Sequence, residues 1–443
     1  MIDRIPFEIK NIMHKIRNEG FTSYLVGGCV RDLLMDREPN DFDIASNAMP
    51  DDIIRIFGSE NTCPTGIKYG TVTVFTESMQ AEITRYRCDG EYSDFRTPDE
   101  VTFVDDIHAD LMRRDFTINA LALGIDGEII DDFGGIEHIR SKTISCVGEP
   151  CKRFSEDALR ILRAVRFASE LDFEIAPETN AAMLPLKDNL KKISAERINK
   201  EFVRIVCGRN SRRVLSRYSD ILAVFIPEIK KSVGFEQYSP YHKYTVWEHT
   251  AKAVSKAADK PLVKLTMFFH DISKPDSFYL DETGRGHFKG HGKVGAVAAK
   301  EIMKRLKFDN KTISDVTTLI YFHSEDIESD ADIKKLLSKL GEELFFALLD
   351  VKRADNSAKN DFVLEELSEI DEIEKNARHI ITSGECYSLR QLAVNGNDLA
   401  EIGITGRNAG VTLNTLLNLV IEGKTENTRS ELISAALEIL RKG

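Results

Sequence analysis

GGCVRDLLMDREPNDFDIAS, Gly27 to Ser46, opens on a glycine pair and closes on two aspartates, Asp41 and Asp43. The residues just ahead, YLV, read as a short strand, and FDIAS reads as a second. A strand, a Gly-Gly turn and a helix present free backbone N–H groups to phosphate oxygens, and glycine lets the backbone come close. Alternate residues of a strand share a face, so Asp41 and Asp43 set two carboxylates side by side. Two such charges repel unless a hard cation lies between them, and Mg²⁺ with oxygen ligands meets that need. Two Mg²⁺ ions would activate a hydroxyl and stabilise a leaving pyrophosphate. Glu82, in AEITRYR, is a candidate third carboxylate on a neighbouring strand, and equally an exposed strand glutamate.

Working outward, residues 1–20 read as an amphipathic helix ending at Gly20, and GTVTVF (70–75) and AEITRYR (81–87) alternate as strands do. Residues 88–106 are polar and turn-rich and read as a mobile, gating loop. A helix is expected from about 108 through LMRRDFTINALAL, then a strand and turn in EIIDDFGG. Beyond that, strand signals almost vanish. SEDALRILRAVRFASEL reads as a helix capped by Ser155, and the remainder reads helix after helix, with no heptads, fixed-period repeat or low-complexity tract. The predicted architecture is α+β: a mixed-sheet head (1–138), a helical neck (139–213), a helical body (214–360) and a helical tail (361–443).

The 443 residues suit two to four domains, and 42% apolar content is ample for their cores. A net charge of −12 argues against indiscriminate nucleic-acid binding but leaves room for a local basic groove. Residues 151–213 hold 14 Lys and Arg against 9 Asp and Glu, ending in Arg204, Arg209, Arg212 and Arg213, where RNA phosphates would lie. Seven cysteines without a Cys-x-x-Cys pair read as reduced cytosolic thiols. With no signal-peptide core and no membrane-length apolar run, a soluble cytoplasmic protein is expected, with no membrane partner.

GGCVRDLLMDREPNDFDIAS, RRDFTINALAL (113–123), DDFGG (131–135), EDALRILRAVRFA (156–168) and ISAERINKEF (193–202) occur in that order. Together they resemble the class II tRNA nucleotidyltransferases, the bacterial CCA-adding enzymes of the polymerase β-type nucleotidyltransferase superfamily. GNDLAEIGITGRNAG and LLNLVIEGKTEN resemble the C-terminal region of the same enzymes. The resemblance implies a head of the polymerase β type and a reaction in which CTP and ATP are added to the acceptor end of tRNA. It implies catalysis at Asp41, Asp43 and Glu82 with two Mg²⁺ ions. It implies nucleotide contacts from Gly27, Gly28, Arg31, Arg113, Arg114, Asp115, Asn119, Asp157, Arg160, Arg163 and Arg166.

The residue chemistry agrees. Arginine forks such as Arg113 and Arg114 match phosphate oxygens, Asp115 can accept from a ribose hydroxyl, and Asn119 can brace the same site. Asp157, Arg160 and Arg163 recur at steps of three with Glu156 at the edge, so one helix face would offer an acceptor and donors to a base. Cytosine and adenine each show an amino group beside a ring acceptor. Guanine and uracil show a carbonyl there, which Asp157 would repel. The bland alternative is a surface salt bridge. The loop at 88–106 is not shortened, which in this family favours complete CCA synthesis over CC addition alone. GIKYGTVTV stands where bacterial poly(A) polymerases carry a basic-aromatic stretch, which disfavours that rival; an A-only adder stays open.

A second pattern runs through His249, the pair His270–Asp271, His287, His291, His323, Asp350 and Asp355; six of the ten histidines fall in 242–323. It resembles an HD domain, a helical phosphohydrolase fold. The resemblance implies a divalent metal on His249, His270, Asp271, His291, His323 and Asp355, with Lys274 toward phosphate and a phosphohydrolase side activity. It also keeps alive a rival of another class, an HD phosphohydrolase whose head merely binds nucleotide.

Overall fold

Ile9, Ile12, Met13 and Ile16 recur at helical spacing and are buried along one face of α1 (Phe7–Asn18). That face packs on the apolar side of a sheet. The computed structural model describes residues 1–90, 101–239, 243–359 and 365–442. The chain divides into two compact units, Met1–Pro227 and Glu228–Gly443.

In the first unit, β1 (Ser23–Val26) leads into α2 (Gly28–Leu34), β2 (Asp43–Ser46) and α3 (Pro50–Phe57). β3 (Thr62–Gly66), β4 (Thr71–Phe75) and β5 (Gln80–Arg85) follow. After β6 (Arg87–Asp89), β7 (Val101–Phe103) and α4 (Ile107–Met112), β8 (Ala122–Gly124), β9 (Ile129–Ile130) and α5 (Gly135–Arg140) complete the head. Seven strands form one sheet in the order β3-β4-β5-β2-β1-β8-β9. Its β2–β5 pair is parallel and the other pairs are antiparallel, so the sheet is mixed, as expected. Leu25, Ile44, Val72, Val74, Ile83 and Leu123 form its core with Val30 and Leu33 of α2.

Three expectations need correction. The polar segment 88–106 is not loop throughout: Arg87–Asp89 pairs antiparallel with Val101–Phe103, while residues 91–100 lie outside the described part. The helix expected from 108 to 123 stops at Met112. Phe116 is extended and bridges Cys146, Thr117–Asn119 form a single 3-10 turn, and Ala122–Gly124 pair with β1. Aromatic and β-branched residues at 116–118 favour that extended, buried course, and strand pairing overrides the helical propensity of ALAL.

The third correction concerns the neck. β10 (Thr143–Ile144), α6 (Pro150–Glu156), α7 (Leu159–Leu171), β11 (Glu174–Ile175), α8 (Pro177–Leu186), α9 (Ala195–Cys207), α10 (Ser211–Arg217) and α11 (Ser219–Leu222) follow the head. The neck is not wholly helical, because β10 and β11 pair in parallel. Nor does Ser155 cap a continuous helix. It lies inside α6, and the chain breaks at Asp157, whose backbone is extended (φ −134°, ψ 105°). The Asp157 carboxylate accepts from Leu159 N–H, the local bond by which aspartate competes with helix.

The second unit contains α12 (Ile229–Ser232), α13 (Val246–Lys256), α14 (Pro261–Phe269), a short hairpin of β12 (Tyr279–Leu280) and β13 (Gly286–His287), α15 (His291–Arg305), α16 (Asn310–Phe322) and α17 (Asp330–Ala358). α17 is interrupted at Gly341, where φ is 73°. α18 (Glu365–Thr382), α19 (Gly396–Glu401), α20 (Gly406–Ile421) and α21 (Arg429–Lys442) complete it, and Val394, Leu399, Leu416 and Leu432 form a separate small core there. Among the described residues, no helix is long and apolar enough to cross a membrane.

Candidate functional site

β1 and β2 run antiparallel with Val26 opposite Asp43, so the turn after β1 arrives beside the aspartates. Gly27 takes φ 78°, and a Cβ there would stand 2.9 Å from Arg114 Nη1 and 4.0 Å from Asp43 Oδ2. The positive φ favours glycine, and a Cβ would also displace the Arg114 guanidinium. Asp43 begins β2, and Asp41 lies in the exposed segment just before it rather than on the strand. The parallel register of β2 and β5 sets Glu82 next to Asp43. Burial, then the charges of Asp41 and Glu82, push the Asp43 carboxyl up to about 6, against the opposing pull of Arg114. This repulsion among three carboxylates is the condition that a hard divalent cation relieves.

Asp41, Asp43 and every nucleotide-binding residue expected from the sequence line one cavity of about 830 Å³. Glu82 is not in its wall. Asp110 of α4 is buried and holds both Arg113 (2.8 Å) and Arg114 (3.2 Å). Arg31 Nη1 donates to Asn119 Oδ1 at 2.8 Å, and Asn119 Nδ2 donates to Asp115 Oδ1 at 3.3 Å. The other Asp115 oxygen accepts from Arg163 Nε at 2.6 Å. Burial opposes ionisation of Asp115, but Arg163 and Arg160 outweigh it and hold the carboxyl down at about 2. The 3-10 turn therefore delivers Asn119 to Asp115, the contact expected from a helical turn.

Asp157 and Arg160 straddle the break between α6 and α7. One Asp157 oxygen accepts from Leu159 N–H at 3.0 Å and the other from Arg197 of α9 at 2.7 Å. Arg160 Nη1 donates to Glu156 and the Arg153 carbonyl, and its Nη2 donates to the Arg113 carbonyl. A carboxylate has about four acceptor sites and a guanidinium five donors, so both retain capacity. Sequence reasoning did not single out Arg197, Asp32 or Phe167, which also line the cavity. Arg197 sits in the motif ISAERINKEF, but its contact spans 40 residues. Of the basic cluster expected to meet RNA, Arg204 pairs with Glu170, Arg209 donates to the Leu171 carbonyl, and Arg213 pairs with Glu174.

In the second unit the structure gathers His249, His270 and Asp355 into one potential ligand group and Asp271, His291 and His323 into another. His249 Nε2 lies 2.8 Å from Asp355 Oδ1 and 3.3 Å from His270 Nε2; His291 Nε2 lies 3.1 Å from His323 Nε2. The Nδ1–H groups of His270, His291 and His323 donate to the carbonyls of Met267, Phe288 and Ile320. Those bonds turn each Nε2 inward, the orientation of metal-ligating histidine. Burial, then His270 and His291, push the His323 imidazole down to about 3, so it stays neutral. Asp271 Oδ1 is buried without a hydrogen-bond partner, and Lys274 lies 3.0 Å from Oδ2. Asp271, His291, His323 and Asp355 border a cavity of about 690 Å³, with Lys274, Lys352 and Lys359 around it. His287 is elsewhere, paired with Asp281 on the β12–β13 hairpin, and Asp350 pairs with Lys260. His242 lies outside the described residues.

The poly A polymerase head domain model matches residues 23–145. A model described as a probable RNA and SrmB-binding site of polymerase A matches 172–232, and the tRNA nucleotidyltransferase domain 2 model matches 292–436. The chain is 34% identical to a CCA-adding enzyme of Enterococcus faecalis over 99% of its own length and 98% of that protein. It is 31% identical to a CCA-adding enzyme of Levilactobacillus brevis over 99% of its own length and 100% of that protein. The crystal structure of the Bacillus stearothermophilus CCA-adding enzyme in complex with CTP superposes with a TM-score of 0.77 at 28% identity, covering 98% of this chain and 97% of that one. Sequence similarity over the full length, with the same architecture, places this chain in the family of CCA-adding enzymes.

Proposed function

We propose that the protein adds C, C and A to the 3′ end of tRNA from CTP and ATP, without a nucleic-acid template. The observation that carries this is the single cavity joining the Asp41–Asp43 carboxylates to a wall of arginines and to the Asp157–Arg160 pair. The RNA 3′-hydroxyl releases its proton to solvent as its oxygen bonds to the α-phosphorus, the bond from that phosphorus to the bridging oxygen of the β-phosphate breaks, and pyrophosphate leaves. Asp41, Asp43 and the adjacent Glu82 would hold Mg²⁺, which neutralises charge on the attacking and leaving oxygens when bound. Arg113 and Arg114, braced by Asp110, bind the triphosphate. Asp115 accepts from the ribose. Asp157 uses its remaining acceptor capacity on the amino group that cytosine and adenine share, and Arg160 offers its free donors to the ring acceptor. The four segments of head, neck, body and tail divide this work, with tRNA held by neck and tail, in the cytoplasm.

Incubation with Mg²⁺ and a tRNA transcript lacking CCA tests the reading directly. With CTP and ATP together, three residues are added and extension stops. Two residues only, or no extension of this transcript with one residue added to a CC-ended tRNA, would make it a partial adder, and a long ladder with ATP alone would make it a poly(A) polymerase.

A second reading is favoured by the inward-turned imidazoles and the orphaned Asp271 oxygen. His249, His270 and Asp355, with Asp271, His291 and His323, would hold divalent metal for phosphoester hydrolysis, with Lys274 toward the phosphate. Metal content of the purified chain, compared with His270→Ala, tests it; equal content in the two would overturn it.

A further inference from the structure

Phe167 of α7 stands where the arginines of the nucleotide cavity converge. Its ring centroid lies 4.2 Å from Arg166 Cζ, 5.3 Å from Arg31 Cζ and 5.5 Å from Arg163 Cζ. Phe116, from the RRDF segment, meets it T-shaped at 5.8 Å. The side chain is only 3% exposed, yet it forms part of the cavity wall. Thus α2, α7 and the segment after α4 meet at one ring.

Three guanidiniums around one point repel each other. Burial, with Arg163 and Arg204 nearby, draws Arg166 down to about 10 even beside Glu201. Hydrogen bonds account for parts of each group: Arg163 on Asp115, Arg31 on Asp32 and Asn119, and Arg166 on Glu201 Oε1 at 3.4 Å. Such bonds use N–H groups in the guanidinium plane. An aromatic face instead attracts the cation as a whole, more strongly where water is excluded. Asp157 and Arg160 are held differently, by Arg197, by Glu156 and by the carbonyls of Arg113 and Arg153.

We propose that Phe167 is a positioning residue of the nucleotide site, whose π face holds Arg31, Arg163 and Arg166 in the constellation that meets the ribose and triphosphate. This rests on the nucleotidyl-transfer reading. Because ribose and triphosphate are common to CTP and ATP, the ring governs affinity for both and leaves the choice between bases to Asp157 and Arg160.

The test replaces Phe167 in the full chain by 4-fluoro-, 3,5-difluoro- and 3,4,5-trifluorophenylalanine. These withdraw charge from the ring face stepwise with little change of shape. KM for CTP and for ATP should rise together along the series, by about tenfold at the third step, while kcat changes less than about threefold. Phe167→Leu, which keeps an apolar side chain without a π face, should match the end of the series. A flat KM across the series overturns the proposal, and so does a rise for one nucleotide alone. The unmodified protein separates the two layers: its failure to extend RNA would overturn the transfer reading, whereas CTP affinity measured by calorimetry along the same series still decides the role of the ring.

Discussion

In the first unit, guanidiniums wall a cavity of about 830 Å³ together with Asp41 and Asp43, and Glu82 stands next to Asp43. In the second, His291 and His323 border a cavity of about 690 Å³ with Asp271 and Asp355, and His249 and His270 are buried. Both arrangements suit phosphate and metal, yet they distribute charge differently. The first meets anions with fixed arginines and presents only oxygen to a metal, which suits a hard ion that keeps much of its water. The second presents imidazole nitrogen beside carboxylate oxygen, which suits a borderline transition metal. On the proposed reading, the first would bind a highly charged, exchangeable substrate and the second would retain an ion.

If that division is right, Asp43→Ala should lower nucleotide addition by about 10³-fold or more, the scale of losing metal-borne charge stabilisation, without changing the metal retained by the second unit. Rates by gel extension and metal by mass spectrometry would read both, and loss of metal from both units would break the comparison. Next in size, Asp157→Asn exchanges an acceptor for an N–H donor that suits the carbonyl of uracil. The preference for CTP over UTP should fall by about 10²-fold in competition assays.

A stability effect of similar scale sharpens the picture of the carboxylates. Asp43 ionises at about 6 in the folded chain, against an ordinary 3.8. As pH rises from about 4 to 6, the unfolded chain releases a proton that the folded chain still holds. Stability therefore falls over that window and stays lower above it, by about 3 kcal/mol. Asp43→Asn should remove that step, making the inactive, metal-free variant more stable than the parent in denaturant titrations at pH 7 and no more stable at pH 3.5. The smallest effect should come from His270→Ala: nucleotide addition should stay within about twofold, as expected for separate sites.

How much of this was legible in the sequence depended on distance along the chain. Gly27, Asp41, Asp43 and the RRDFTINA residues are close neighbours in short motifs, and each reached the expected cavity. Asp157 and Arg160 reached it too, although the helix assumed to carry both is broken, because the Arg160 N–H still bonds the Asp157 carbonyl at 3.0 Å and closes a turn between them. ALAL at 120–123 misled because alanine and leucine favour helix, whereas strand pairing with β1 is a tertiary effect. Arg197 and Phe167 were missed because their contacts, to Asp157 and Arg31, lie far away in sequence. Among the histidines, the adjacent His270–Asp271 pair reached the two potential ligand groups. His287 did not, because a two-residue strand turned it toward Asp281.

The turn at Gly27 has a consequence for the gene as well as for the protein. Every other residue carries a Cβ, and here that atom would press on an arginine already tied to Asp110 and to the Asn119 carbonyl. Any missense change at this codon must displace the Arg114 guanidinium, strain a backbone at positive φ, or do both. Drift has no neutral direction at this position, and a compensating change elsewhere would have to rebuild the strand-to-helix turn itself.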